Sequence, residues 1–333
     1  MAEAFDIRKS TTTKVSYGVI LAVLVLVAVL KLATPLLAVM FCLFLLNKFH
    51  FGNHKLVAIS LFLITASALI YTAIHFTHAA VKALPNIADS SIPSVIAWAE
   101  SHGVELPFTD FQSLKSLALD TVKEQAHYLG NFANIARILT TQLVLVIIGI
   151  VVAVSLFLNN QLDLDRGSHA VPGNLYEHCC ESISERFENF YSSFVTVIGA
   201  QIIISTINTT LTSIFLFSIG LPHVMVVVGV TFLCGLLPVI GNLISNTIIV
   251  GLAFTISPKT ALAALVFLVV IHKLEYLLNS KIIGDRIRTP VWLTLLGLVI
   301  GEKLIGIPGM ILAPVVLHYV KAEASRIKAR REG

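Results

Sequence analysis

Apolar residues along this chain come in long runs, and polar residues gather between them. The first run, residues 15–46, is interrupted at residues 31–35 by Lys31, Thr34 and Pro35. Each half has about 12 to 16 residues, short of the roughly 20 that a helix needs to cross a bilayer core. The pattern predicts a tight hairpin of two helices, with a re-entrant pair as the alternative. A polar loop with Lys48 and Lys55 follows, and residues 56–80 are long enough for a third, spanning helix. Residues 138–158, 195–219 and 260–278 are further spans.

Two apolar segments are broken in the middle. Residues 224–256 are interrupted by Pro238, Gly241 and Asn242, and residues 291–319 by Gly301, Glu302, Lys303, Gly306, Pro308 and Gly309. Their halves have the length of re-entrant elements rather than full spans.

The polar segments differ from one another. Residues 81–137 carry Pro85, Pro93 and Pro107 and more acidic than basic side chains. Within them Phe111, Leu114, Ala118, Val122, Leu129 and Phe132 approximate a helical stripe, which predicts an amphipathic layer outside the membrane. Residues 159–192 are polar too, but Leu175, Cys179, Ile183, Phe187, Phe190 and Phe194 share one helical face. A basic tail with Lys321, Arg326, Lys328, Arg330 and Arg331 closes the chain. The expected organisation is membrane helices over residues 1–80, an extramembrane segment over 81–137, and a membrane core over 138–333 that includes the amphipathic helix and the tail.

Composition decides the class. Hydrophobic residues make up 56% of the 333 and charged residues 13%, against about 25% charged in ordinary soluble domains. Too little polar surface remains to coat a soluble globule. A net charge of +4 gives no reason to expect a nucleic-acid partner. The four cysteines, Cys42, Cys179, Cys180 and Cys234, have no zinc spacing, and no metal or cofactor is expected. Arg8, Lys9 and Lys14 before an apolar run resemble a secretory signal, but no small-residue cleavage site follows, so a retained first helix is expected.

Lys and Arg near membrane segments accumulate on the cytoplasmic side. This puts the N-terminus, the Lys48/Lys55 loop and the basic tail inside, and residues 81–137 outside. If residues 224–256 crossed once, Lys281, Arg286 and Arg288 would lie outside. Two opposed re-entrant hairpins bring those three inside, at the cost of one exception, Lys259.

The C-terminal half carries Gly220-Leu221-Pro222, Leu237-Pro238-Val239-Ile240-Gly241, Leu274-Glu275-Tyr276 leading to Lys281-Ile282-Ile283-Gly284, then Pro290, Gly301, Gly306, Gly309-Met310 and Pro314. In order and spacing this resembles the autoinducer-2 exporter-like family of bacterial multi-pass membrane proteins. Asn242, Tyr276 and Ser280 depart from the proline, asparagine and proline common at those places, changes that bear on substrate identity more than on fold. The resemblance implies a transporter, with autoinducer-2 export and sodium/proton antiport both associated with the family. It also implies a homo-oligomer.

Glu275 leads the candidates for transport, because an ionisable group within a membrane segment is costly and faces a cavity or a partner. His272 lies three residues earlier and could share its face. The structural alternative pairs Glu275 with Arg286, Arg288 or a helix end. Gln201, Ser205, Asn208 and Thr212 form a polar stripe at steps of four, three and four, which either lines a hydrated path or joins helices by hydrogen bonds. Pro238, Gly241, Asn242, Gly301, Glu302, Gly306 and Gly309 are the candidates for broken-helix gating, where Glu302 and Lys303 either gate or neutralise each other. His75 and His78 read as interfacial, and Cys179 and Cys180 as packing residues. No Walker loop, GxSxG elbow or HExxH motif occurs, so neither an enzyme nor an ATP-driven pump is expected.

The sequence therefore predicts an all-α polytopic protein of the bacterial inner membrane, with two broken segments and an amphipathic extramembrane segment. It would move a small polar solute passively or with a Na+ or H+ gradient. The rivals are an antiporter, an oligomeric channel, and a non-transporting membrane scaffold.

Overall fold

A computed structural model describes residues 2–51, 54–103, 132–165, 168–169, 171, 173–221, 223–237, 240–283 and 290–326. Among these, every regular element is an α-helix. In chain order they are α1 (Ala2–Val29), α2 (Ala33–Phe49), α3 (Lys55–Ser101), α4 (Phe132–Leu158), α5 (Leu175–Ser218), α6 (Val224–Gly235), α7 (Ile240–Ile256), α8 (Pro258–Ile283), α9 (Val291–Ile305) and α10 (Ile307–Arg326). Four are long and apolar enough to cross a membrane, over Thr12–Val29, Lys55–Ala79, Thr140–Leu158 and Leu175–Ser218. Their outward side chains are apolar: Leu21, Ile64, Ile70, Val151 and Ile214 are all exposed, as a surface facing lipid requires. The chain is a polytopic all-α membrane protein.

The helix boundaries follow the pattern of the sequence with one clear difference. Helix α3 does not stop near Ala80 but continues to Ser101. Pro85 and Pro93 do not end it, since a proline removes one helical hydrogen bond and kinks a helix without having to terminate it. The stripe from Phe111 to Leu129, the hairpin residue Pro238 and the basic residues Arg286, Arg288, Lys328, Arg330 and Arg331 lie outside the described residues.

The chain divides into two compact units. The first comprises Met1–Thr65, Thr140–Gly199 and Arg286–Gly333, the second Ala66–Leu139 and Ala200–Asp285. In the first, α1 and α2 are joined through residues 30–32, where Lys31 takes a left-handed conformation (φ 55°). α2 packs on later helices. Gly149 of α4 leaves room for Pro35 and Ala38, and Phe41 meets Phe194 of α5 edge-on at 5.0 Å between ring centres. α9 and α10 fold back on each other about Gly306 (φ 69°). Gly301 faces Gly309 and Gly297 faces Ala313 and Leu317, so the pair is antiparallel. A Cβ on Gly301 or Gly309 would overlap the other's carbonyl.

In the second unit, α6, α7 and α8 surround a core of Leu216, Leu221, Val227, Ile249, Leu252, Ala253, Ala261, Ala264 and Leu268. Phe215 stacks on Phe267 at 4.2 Å, and Trp98 of α3 lies against Phe254 of α7 at 5.5 Å.

Candidate functional site

Helix α8 has one buried face. Ala261, Ala264, Leu268 and Ile271 are buried at steps of three, four and three, whereas Leu262, Leu265, Val266, Val269 and Val270 are exposed. The next position on the inward face is Glu275. An unpartnered carboxylate among apolar helices costs several kcal/mol or more, so the position demands donors.

Two amides supply them. Asn242 Nδ2 donates to Glu275 Oε2 at 2.6 Å, and Asn208 Nδ2 donates to the same oxygen at 3.2 Å. The donors come from α7 and α5, so one carboxylate joins three helices. Asn208 is only 8% exposed, and the Oδ1 of the same amide is buried with no hydrogen-bond partner. Thr209 Oγ1 is buried without one too. The site thus has a negative oxygen held by two donors, with one amide oxygen, Asn208 Oδ1, left over.

The rest of the stripe on α5 has a different task. A helix leaves its last four carbonyls without helical partners, and at the C-terminal end of α6 each of them is accounted for. Ser205 Oγ donates to Phe232 O at 2.8 Å, and Gln201 Nε2 donates to Gly235 O at 2.5 Å. Leu236 N–H reaches Leu233 O at 3.2 Å, and Leu237 N–H reaches Cys234 O at 2.8 Å. The carbonyls of the broken helix are therefore satisfied by protein.

Gly235 and Gly241 make this packing feasible. A Cβ on Gly235 would press on Ser205 Oγ, and one on Gly241 would overlap the Cys234 carbonyl. Bare backbone at Gly241 lets the first turn of α7 lie on the last turn of α6, which sets the place of Asn242 in that turn.

The structure brings together Glu275, Asn208 and Asn242, and sets Gln201 and Ser205 on the end of α6. Thr212 is buried further along α5. His272 and Lys273 are exposed. Gly301, Gly306 and Gly309 hold the α9–α10 turn, and Glu302 is exposed, 3.7 Å from Lys303. His75 and His78 are exposed, His75 stacking on Tyr71. Cys179 and Cys180 are free thiols. Among the described residues no three His, Cys, Asp or Glu side chains gather as metal ligands.

The first unit holds a buried carboxylate that pattern reading misses. Glu323 of α10 is 4% exposed. It accepts from Tyr17 Oη of α1 at 2.7 Å, from Arg186 Nη1 of α5 at 2.7 Å and from Asn189 Nδ2 of α5 at 2.7 Å. The Arg186 guanidinium also covers the Tyr17 ring, 4.6 Å from its centre. Glu323 sits between Lys321 and Arg326 and reads as part of a solvated basic tail. The available signal was Arg186 and Asn189, one turn apart on the apolar side of an amphipathic helix.

Residues 12–328 match the sequence profile described as AI-2E family transporter. A Bacillus subtilis (strain 168) protein named "Putative transport protein YdbI" is 30% identical over 134 residues. That stretch is 40% of this chain and 38% of the relative, so the likeness spans well under half of either. No solved structure matches the chain.

Proposed function

The chain belongs to the AI-2E family of transporters, and from that premise we propose that it carries a small polar solute across a bacterial inner membrane along a path centred on Glu275, Asn208 and Asn242. The observation that carries this reading is a carboxylate on the inward face of α8 held by amides from two other helices. Such a group binds hydroxyls or a cation where the surroundings are otherwise apolar, and polar contacts there are strengthened by the low local dielectric. An autoinducer-2-like molecule, rich in hydroxyls, fits that chemistry.

The two broken segments are proposed as re-entrant hairpins entered from opposite sides, with both termini cytoplasmic. Helix α6 has 12 residues, about 18 Å at 1.5 Å per residue, against a core of roughly 30 Å. Helix α9, with 15 residues, is also too short to cross upright. A single cysteine at Arg286 would be labelled from the cytoplasmic side under this topology, and labelling only from the opposite side would refute it. A homo-oligomer is proposed on the family resemblance.

A second reading, exchange of Na+ for H+, is favoured by the unpartnered Asn208 Oδ1 on the amide that also holds Glu275. An amide oxygen and a carboxylate are hard ligands suited to a small cation or a proton. Vesicles containing the purified protein, loaded with labelled autoinducer-2 and a pH-sensitive dye, separate these readings. Release of label supports solute transport, and a dye response to a Na+ gradient supports exchange. Neither signal above protein-free vesicles would leave the scaffold. Glu275→Gln should remove whichever signal is seen while the amount of inserted protein stays the same.

A further inference from the structure

The Glu323 cluster belongs to the first unit, whereas the residues of the proposed transport site belong to the second. Its partners are separated by 134 to 306 residues along the chain, so the carboxylate ties together three helices that no local segment connects. All three contacts are 2.7 Å, and two of them come from neighbouring turns of α5. Phe190, on the same face of α5, packs edge-on against Tyr319 of α10 at 5.4 Å.

Two features make this cluster more than a staple. A buried ion pair is weak evidence for stability, because its desolvation offsets its attraction, and its best-attested use is to select one arrangement over another. The cluster also contains more buried donors than its acceptor can hold. Arg186 Nε and Tyr319 Oη are buried with no hydrogen-bond partner, while the Glu323 carboxylate already accepts three. A network with surplus donors around one carboxylate has other arrangements available to it. Arg326, 3.9 Å from Glu323 Oε1 and 60% exposed, is a second cation within reach of the same carboxylate.

We propose that Glu323, Arg186, Asn189 and Tyr17 form a releasable latch that holds α10 and α1 against α5 in one conformation of the transport cycle. Separation of α10 from α5 breaks the Arg186 and Asn189 contacts together, and Arg326 on the same turn of α10 then neutralises the freed carboxylate. Further along, α5 carries Asn208, so the latch acts on a helix that also contributes to the proposed transport site. The latch does not depend on Glu275 being that site, and its test leaves Glu275 unchanged.

The test measures distances in the full-length protein in vesicles. Spin labels are placed on cysteines introduced at Glu188 and Ser325, both exposed, with the four native cysteines replaced by serine. The latched protein should give one narrow distance. Glu323→Gln and Arg186→Gln should each add a second, longer distance that holds a large share of the population. The charge-exchanged double variant, Glu323→Arg with Arg186→Glu, should return most of the population to the first. Tyr17→Phe and Asn189→Ala keep the ion pair and should give intermediate populations, and they serve where a charge variant fails to insert. A single unchanged distance in the variants, with only a lower unfolding midpoint, would overturn the latch and leave a static packing contact.

Discussion

Asn242 donates its amide N–H to Glu275 at 2.6 Å, across from the first turn of α7 to the inward face of α8. The contact depends on a break in a helix. Were α6 and α7 one continuous helix, residue 242 would sit two turns beyond Gly235, in line with it. The turn at Leu236 and Leu237, with Gly241 against the Cys234 carbonyl, brings the start of α7 back onto the end of α6 instead. The same break that exposes backbone carbonyls therefore delivers the amide that holds the carboxylate.

Removal of that amide should be felt in both stability and flux. A hydrogen bond to a charged group contributes about 1.5–3 kcal/mol, and Asn208 alone would be left on the half-buried carboxylate. We expect Asn242→Ala to lower the unfolding midpoint in detergent and to reduce flux about tenfold or more, as measured in vesicles. Asn242→Gln, which retains the donor on a longer arm, should recover part of the flux. Equal flux in the wild type and Asn242→Ala would separate this contact from transport.

The cap on α6 makes a different expectation. Ser205→Ala leaves the Phe232 carbonyl without its donor, and Gln201→Leu does the same for Gly235. Each should cost about 1 kcal/mol, the scale of a lost interhelical hydrogen bond in a membrane protein. Because both cap one turn, the double variant should depart from additivity by a few tenths of a kcal/mol or more. Thermal unfolding of the two single variants and the double variant measures it.

Close helix contact sets a third expectation. A Cβ on Gly309 would overlap the Gly301 backbone, which cannot move aside as a side-chain tip can, whereas Gly18 of α1 has nothing within 4 Å. Gly309→Ala should therefore destabilise by about 1–3 kcal/mol through overpacking. Gly18→Ala should be neutral or mildly stabilising, since alanine is the better helix former by about 1 kcal/mol. A loss of stability for Gly309→Ala with none for Gly18→Ala in one unfolding assay would bear this out.

Much of this fold was legible because lipid imposes long apolar runs, and breaks in those runs stand out. The turn at Leu236 and Leu237 and the one at Gly306 fall where Pro and Gly punctuate the sequence, and Glu275 stands out as a charge inside an apolar helix. The role of the stripe on α5 was only half legible. Periodicity placed Gln201, Ser205 and Asn208 on one face, but it cannot tell a cap on another helix from a partner for a carboxylate, because both are contacts made across the chain. The extension of α3 past its apolar span to Ser101 is hidden in the sequence, because Pro85 and Pro93 look like ends when they need only be kinks. Glu323 escaped because its neighbours in sequence are cations and its neighbours in space, Tyr17, Arg186 and Asn189, are at least 134 residues away.

The most direct measurement is whether water reaches the carboxylate position. In a cysteine-free background, Glu275→Cys is exposed to a charged, membrane-impermeant thiol reagent and compared with Leu262→Cys on the exposed face of the same helix. We expect the cysteine at position 275 to react and the one at 262, facing lipid, to stay unmodified. If position 275 is as inert as position 262, the site is dry and no solute path passes Glu275.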